Sequence, residues 1–247
     1  MSTYGQILIL YCLLSVPTFE TPNYEITFAL VILSVYFAVS TETCTAVLIV
    51  ILAGYAEAQI LALSEELKNL WEDAPLYICL LNELPRGNKT NENSKVINEY
   101  IRNKLRDIVD KHRTIISLVN KVENMFKGAK ALEFGCATTG LIAELLGGLE
   151  NTYVQLPYTL LQVAINCFIG QRLIDASLVL ENAVYCCKWE NFDSSNQKTV
   201  FLILLNSQKT LRLSAGGLTI LSFTSLMSIL KSIYSVYTAL RSRIVIA

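Results

Sequence analysis

Charge is what this chain has least of. Only 17% of its 247 residues are Asp, Glu, Lys or Arg, against about a quarter in an ordinary soluble domain. Hydrophobic residues make up 53% and the mean hydropathy is +0.43, which places the chain in a lipid bilayer. Basic residues are missing altogether from 1–67 and from 131–171. The single histidine, His112, has no second metal ligand at helical spacing. The seven cysteines are an odd number without a CxxC pair, which excludes a disulfide framework and a zinc site. There is no glycine-rich phosphate loop, no GxSxG and no HExxH, so an enzyme is not expected, nor any cofactor or metal. A net charge of −1 gives no footprint for nucleic acid. No DRY-type cluster or NPxxY marks a G-protein-coupled receptor, and no pair of broken helices or internal repeat marks a secondary transporter.

What is there is long and apolar. Ile26 to Ala58 contains only Glu42 and Glu57 as charged residues and outlasts a bilayer, so the helix should continue through LALSEELKNLWEDA. Glu42, in the polar knot Ser40-Thr41-Glu42-Thr43, is a candidate functional carboxylate at membrane depth. Asn82 to Ser94 reads as a loop carrying the sequon Asn88-Lys89-Thr90. Val96 to Lys130 has the period of an amphipathic helix, with Ile97, Ile101, Leu105, Ile108, Ile115, Ile116, Val119 and Val122 on one face. Ala131 to Leu149 is a span interrupted by Glu133 and Glu144, which must be buried among other helices if it crosses. Thr159 to Ala176 gives another span, and Leu178 to Gln208 suggests helices packed beneath the bilayer, with Trp189 expected to be a buried aromatic among them. Cys186-Cys187 reads as two small buried apolar residues or as a palmitoylation site.

The end of the chain is expected to be one membrane helix, uncharged from Leu213 to Leu230. Ser214, Thr219, Ser222, Ser225 and Ser228 fall largely on one face, as a helix beside water or in a tight helix interface requires. Twelve of the 20 Lys and Arg lie between Lys68 and Lys130 and five between Arg172 and Arg212. Basic loops stay in the cytoplasm, so both segments should lie inside and the C-terminus outside.

The order Gly170-Gln171, Ser177, Tyr185, Trp189, Gln208-Lys209, Leu211, Leu213-Ser214-Ala215-Gly216, Leu221-Ser222, Phe223, Ile229-Leu230-Lys231, Tyr234-Ser235 and Thr238 resembles the C-terminal part of insect odorant receptors. Tyr24-Glu25, His112-Arg113 and Glu123 extend the likeness more loosely. The resemblance implies an all-α, polytopic membrane helix bundle whose long helices reach a cytoplasmic packing region. It divides the chain into 1–25, an N-terminal segment and outer loop; 26–176, membrane spans with a cytoplasmic stretch at about 59–130; 177–210, cytoplasmic helices; and 211–247, the last, pore-lining helix and tail. It implies a subunit of a ligand-gated, non-selective cation channel in the plasma membrane of a sensory neuron. The partners it implies are a shared co-receptor, in a hetero-tetramer, and volatile organic ligands. By positional matching it points to Phe28, Val31, Tyr36, Tyr158 and Gln162 for ligand binding, and to Ser235, Thr238, Leu240 and Arg241 for the pore. Arg241 would disfavour cations if it faced the pore, so it is expected to point aside. The other readings are a truncated, non-conducting receptor fragment and another polytopic membrane protein such as a transporter.

Overall fold

The structure is a computed structural model and describes residues 23–81, 90–147, 152–153, 155–217 and 219–246. Residues 1–22, the sequon at Asn88 and most of the 82–94 stretch lie outside the described residues. The chain is almost entirely helical, in the order α1 (Asn23–Leu81), α2 (Thr90–Leu146), α3 (Gln155–Tyr185), a 3₁₀ turn (Trp189–Asn191), α4 (Ser194–Ser207), strands β1 (Ser214–Ala215) and β2 (Thr219–Ile220), and α5 (Phe223–Ile246). The all-α expectation holds, with one two-residue antiparallel hairpin in register Ser214 to Ile220 and Ala215 to Thr219.

The 59 residues of α1 make a rod of about 88 Å at about 1.5 Å per residue. A bilayer's hydrocarbon is about 30 Å thick. Much of α1 therefore belongs outside the apolar layer, as its sequence anticipates. By length and composition, stretches within Thr27–Leu76 and Gln155–Asn191 could cross a membrane.

Contacts group the chain into two compact units. The second comprises 53–121 and 171–212. On α1 its buried apolar residues are Ala53, Ala56, Ile60, Leu63, Leu67, Leu70 and Ala74, alternating three and four apart as in a coiled-coil seam, with Ser64 buried beside them. On α2 they are Ile101, Leu105, Ile108, His112, Ile115 and Val119, and on α4 Asn196, Val200, Ile203 and Ser207, with the same alternation. Each buried Leu or Ile contributes about 1.5–3 kcal/mol relative to exposure. Polar contacts fix the elements of this unit to one another. The guanidinium Nε of Arg172 donates to both Glu57 oxygens at 2.9 and 3.0 Å, Lys188 reaches Glu72 at 2.8 Å, and Lys111 reaches Glu66 at 3.1 Å. Asn196, buried, donates from Nδ2 to the carbonyl of Asn98 at 2.9 Å. Asp193 caps α4 by accepting from the Asn196 amide at 3.0 Å, as an Asp before a polar first turn is suited to do. Fifteen of the 20 Lys and Arg fall in this unit.

The first unit comprises 1–52, 122–170 and 213–247. Its apolar interior is sparse: Ile49, Val122, Phe134, Leu141, Val163, Cys167, Leu213, Ala215, Leu221 and Ile233 are buried. Phe28, Ile32, Leu33, Tyr36, Phe37, Val47, Leu48 and Ile51 on α1 are exposed. A face of that size is built for lipid or for other helices.

Three expectations are corrected. The stretch from Thr90 to Leu146 is one continuous helix, not an amphipathic helix followed by a separate span. The last helix begins at Phe223, because Gly216 and Gly217 adopt φ of +67° and +73°, a left-handed conformation that no helix contains. Residues 213–217 and 219–220 are therefore not helical, and 211–247 is not one helix. Trp189 is 38% exposed; the buried aromatic of that turn is Phe192, whose ring lies 6.0 Å from that of Trp71.

Candidate functional site

The residues matched to ligand binding lie on two helices of the first unit. On α1, Phe28 and Tyr36 are exposed and Val31 is half-buried, all within one broad side of the helix. Tyr36 makes an edge-to-face contact with Phe37 at 5.9 Å. On α3, Tyr158 is exposed and Gln162, one turn on, is half-buried. These are amphipathic and apolar side chains suited to a small organic molecule.

Below Gln162 lies an arrangement that sequence reading did not find. Lys130 is buried, and its Nζ donates to Glu133 Oε2 at 2.6 Å and to Asn166 Oδ1 at 2.9 Å. Asn166 Nδ2 donates in turn to Glu133 Oε1 at 2.8 Å and to the Gln162 carbonyl at 3.1 Å. The ring of contacts neutralises the ammonium, satisfies the amide and staples α2 to α3. Only the Lys130–Glu133 pair, three apart on α2, had a signal in the sequence.

Higher on α2, Glu144 is buried and accepts from Thr159 Oγ1 at 3.2 Å, while its Oε2 has no hydrogen-bond partner among the described residues. Both carboxylates that interrupt the 131–149 run are thus turned toward protein. The polar knot on α1 resolves differently. The hydroxyls of Ser40, Thr41 and Thr43 donate to the carbonyls of Tyr36, Phe37 and Val39 at 2.6–2.8 Å, the usual way in which hydroxyls are accommodated in a membrane helix. Glu42 beside them is half-buried.

On α5, Ile233 is buried, with Leu226, Leu230 and Tyr237 half-buried on the same side. Ser235 and Thr238 are exposed on the other side. Arg241 also lies exposed, but Nη1 donates to the Tyr237 hydroxyl at 2.7 Å and the guanidinium stands over that ring at 5.8 Å. Leu240 falls about 100° or more around the helix from Ser235, Thr238 and Arg241. The hydroxyl stripe seen in the sequence is divided. Ser214 and Thr219 belong to the hairpin, Ser222 caps α5 by accepting from the Ser225 amide at 3.2 Å, and Ser225 and Ser228 are helical.

In the second unit, His112 is buried in the α2 seam, and desolvation pushes its pKa below the ordinary histidine value. Among the described residues no group of three or more His, Cys, Asp or Glu is placed to hold a metal ion. Cys187 is buried and Cys186 exposed.

A family model described as 7tm Odorant receptor matches residues 3–143 and 153–234. Odorant receptor 30a of Drosophila melanogaster is 34% identical over 74 residues, covering 30% of this chain and 20% of its own length. The odorant receptor coreceptor of Anopheles gambiae is 24% identical over 179 residues, covering 68% of this chain and 37% of its own. The chain spans less than half the length of the curated relatives it matches. Among solved structures, the olfactory receptor OR5 from Machilis hrabei in complex with eugenol has a similar fold, with a TM-score of 0.54 at 14% identity, covering 82% of this chain and 70% of that one.

Proposed function

This chain belongs to the seven-transmembrane odorant receptor family, and from that membership we propose that it serves as the odorant-detecting subunit of a ligand-gated, non-selective cation channel. It works with a co-receptor in a tetramer in the plasma membrane of a sensory neuron. The first unit spans the bilayer and the second lies in the cytoplasm, with the C-terminus outside. Volatile organic molecules bind against Phe28, Val31 and Tyr36 of α1 and Tyr158 and Gln162 of α3. The last helix lines the pore through Ser235 and Thr238, with Arg241 beside them and Leu240 turned away, on the side of Ile233. In this arrangement Arg241, held on Tyr237, keeps its charge off the ion path.

The observation that carries the reading is the family match over 3–143 and 153–234, which runs through both units. The two-sidedness of α5 is consistent with it, since a helix lining water must bury one side and leave hydroxyls on the other. The resemblance in sequence to a coreceptor over 68% of this chain is what suggests a shared mode of assembly. The test is co-expression with a co-receptor, surface biotinylation, and current recording under a panel of volatile alcohols, esters and phenols. Evoked inward cation current supports the proposal. A complex that reaches the surface and stays silent across the panel contradicts it and leaves a chain that packs in membranes without sensing.

A further inference from the structure

The hairpin before α5 is fastened to its surroundings at each end. Ser214 Oγ donates to Glu123 Oε1 on α2 at 2.7 Å, and the Gly216 amide donates to the Lys127 carbonyl, one turn further along α2, at 2.8 Å. Gly216 sits at φ +67°, and a Cβ there would come within 2.9 Å of the Ala131 Cβ. Three successive turns of α2 are therefore in touch with β1 and its turn. At the other end, Leu221 closes the hairpin by donating its amide to the Leu213 carbonyl at 2.9 Å. The backbone there packs directly on Gly170 of α3, where a Cβ would run into the Leu221 carbonyl oxygen and lie 2.6 Å from the Leu221 Cβ. Ser222, the next residue, caps α5. Leu213, Ser214, Ala215 and Leu221 are all buried, although a loop between helices is ordinarily on the surface.

A hairpin whose first strand and closing residue are buried while its Gly216-Gly217 turn is exposed, tied to α2 through Ser214 and Gly216 and with no slack before the next helix, transmits displacement. We propose that this hairpin is a strap through which the Glu123–Ala131 segment of α2 sets the position of the first turn of α5, so that α2 and α5 move together when the channel gates. The inference rests on the reading that α5 lines the ion path.

Replacing Gly170 by Ala would disturb packing as well as the strap, so the Ser214–Glu123 contact is the better handle. In the full chain assembled with a co-receptor, Ser214→Ala and Glu123→Ala should each speed deuterium exchange over 214–227. At equal surface abundance, each should also change the current at fixed voltage about threefold or more, the factor expected from one lost hydrogen bond. The double variant should go no further than either single one, and Glu123→Gln, which keeps an oxygen acceptor, should behave as the parent. Unaltered exchange would overturn the strap, as would faster exchange with parental current or effects that multiply in the double variant. The pore assignment is separated by a control in the parent sequence. If modification of Ser235→Cys by methanethiosulfonate ethyltrimethylammonium leaves the current unaltered, the pore assignment falls and the strap falls with it. If that modification alters the current while the strap variants gate like the parent, only the strap falls.

Discussion

An ammonium buried as deeply as that of Lys130, 3% exposed, is tolerable only while its partners stay. Removing one partner of a buried charge pair costs about 3–5 kcal/mol, mostly because the other is stranded. Glu133→Ala should therefore sharply lower the amount of folded receptor recovered from membranes, whereas Lys130→Met with Glu133→Leu should recover much of it. Size-exclusion profiles of detergent-extracted protein would show this, and equal yields for the single and double variants would count against the triad. His112 acts in the opposite sense. Burial holds its pKa below the ordinary value of about 6.5, so as pH falls from there the unfolded chain takes a proton before the folded one does. Stability of the second unit is thus lost on acidification below about pH 6.5 and levels off beneath the folded pKa. His112→Asn should flatten that part of the melting-temperature profile, and parallel profiles for parent and variant would refute the assignment.

At the scale of elements, the seam of α1 makes the most quantitative claim. Leu67 is fully buried and Leu61, less than two turns away, is 40% exposed. Leu67→Ala should cost about 2–5 kcal/mol, as deletion of a buried leucine does, and Leu61→Ala far less. Comparable losses of co-receptor co-purification for the two would place the seam elsewhere. These long helices were legible because apolar residues recur every three or four positions through 53–74 and 101–119. Their ends were less so. Lys130 and Ala131 mark a change in composition but no break in the backbone, so α2 runs on where a boundary between helices was expected. The Gly216-Gly217 pair lies in an uncharged stretch that reads as small-residue helix packing, and only the positive φ at both shows a turn. Trp189 read as buried because it is aromatic and follows an apolar helix, but the left-handed Lys188 turns it outward and Phe192 fills the interior.

The whole molecule is ordered by where its charges are. Basic residues gather in the second unit, and the sequence alone carries that asymmetry. If this unit is cytoplasmic, Asn88 is never glycosylated. A glycosidase-sensitive mass shift abolished by Asn88→Gln would invert the topology. The residues proposed for ligand binding could be placed only by resemblance, since Phe28 and Tyr158 are separated by some 130 positions and no periodicity connects two helices. The same distance hid the staple between Lys130 and Asn166, 36 residues apart.

The central claim is that α5 has one side in protein and one in water, and cysteine scanning reads it directly. In the assembled receptor, Ser235→Cys and Thr238→Cys should be modified from outside by a membrane-impermeant methanethiosulfonate, with a change in current at each. Ile233→Cys, on the buried side, should react slowly or not at all. Equal reactivity at all three positions, or none at any, would contradict the account and remove α5 from the ion path.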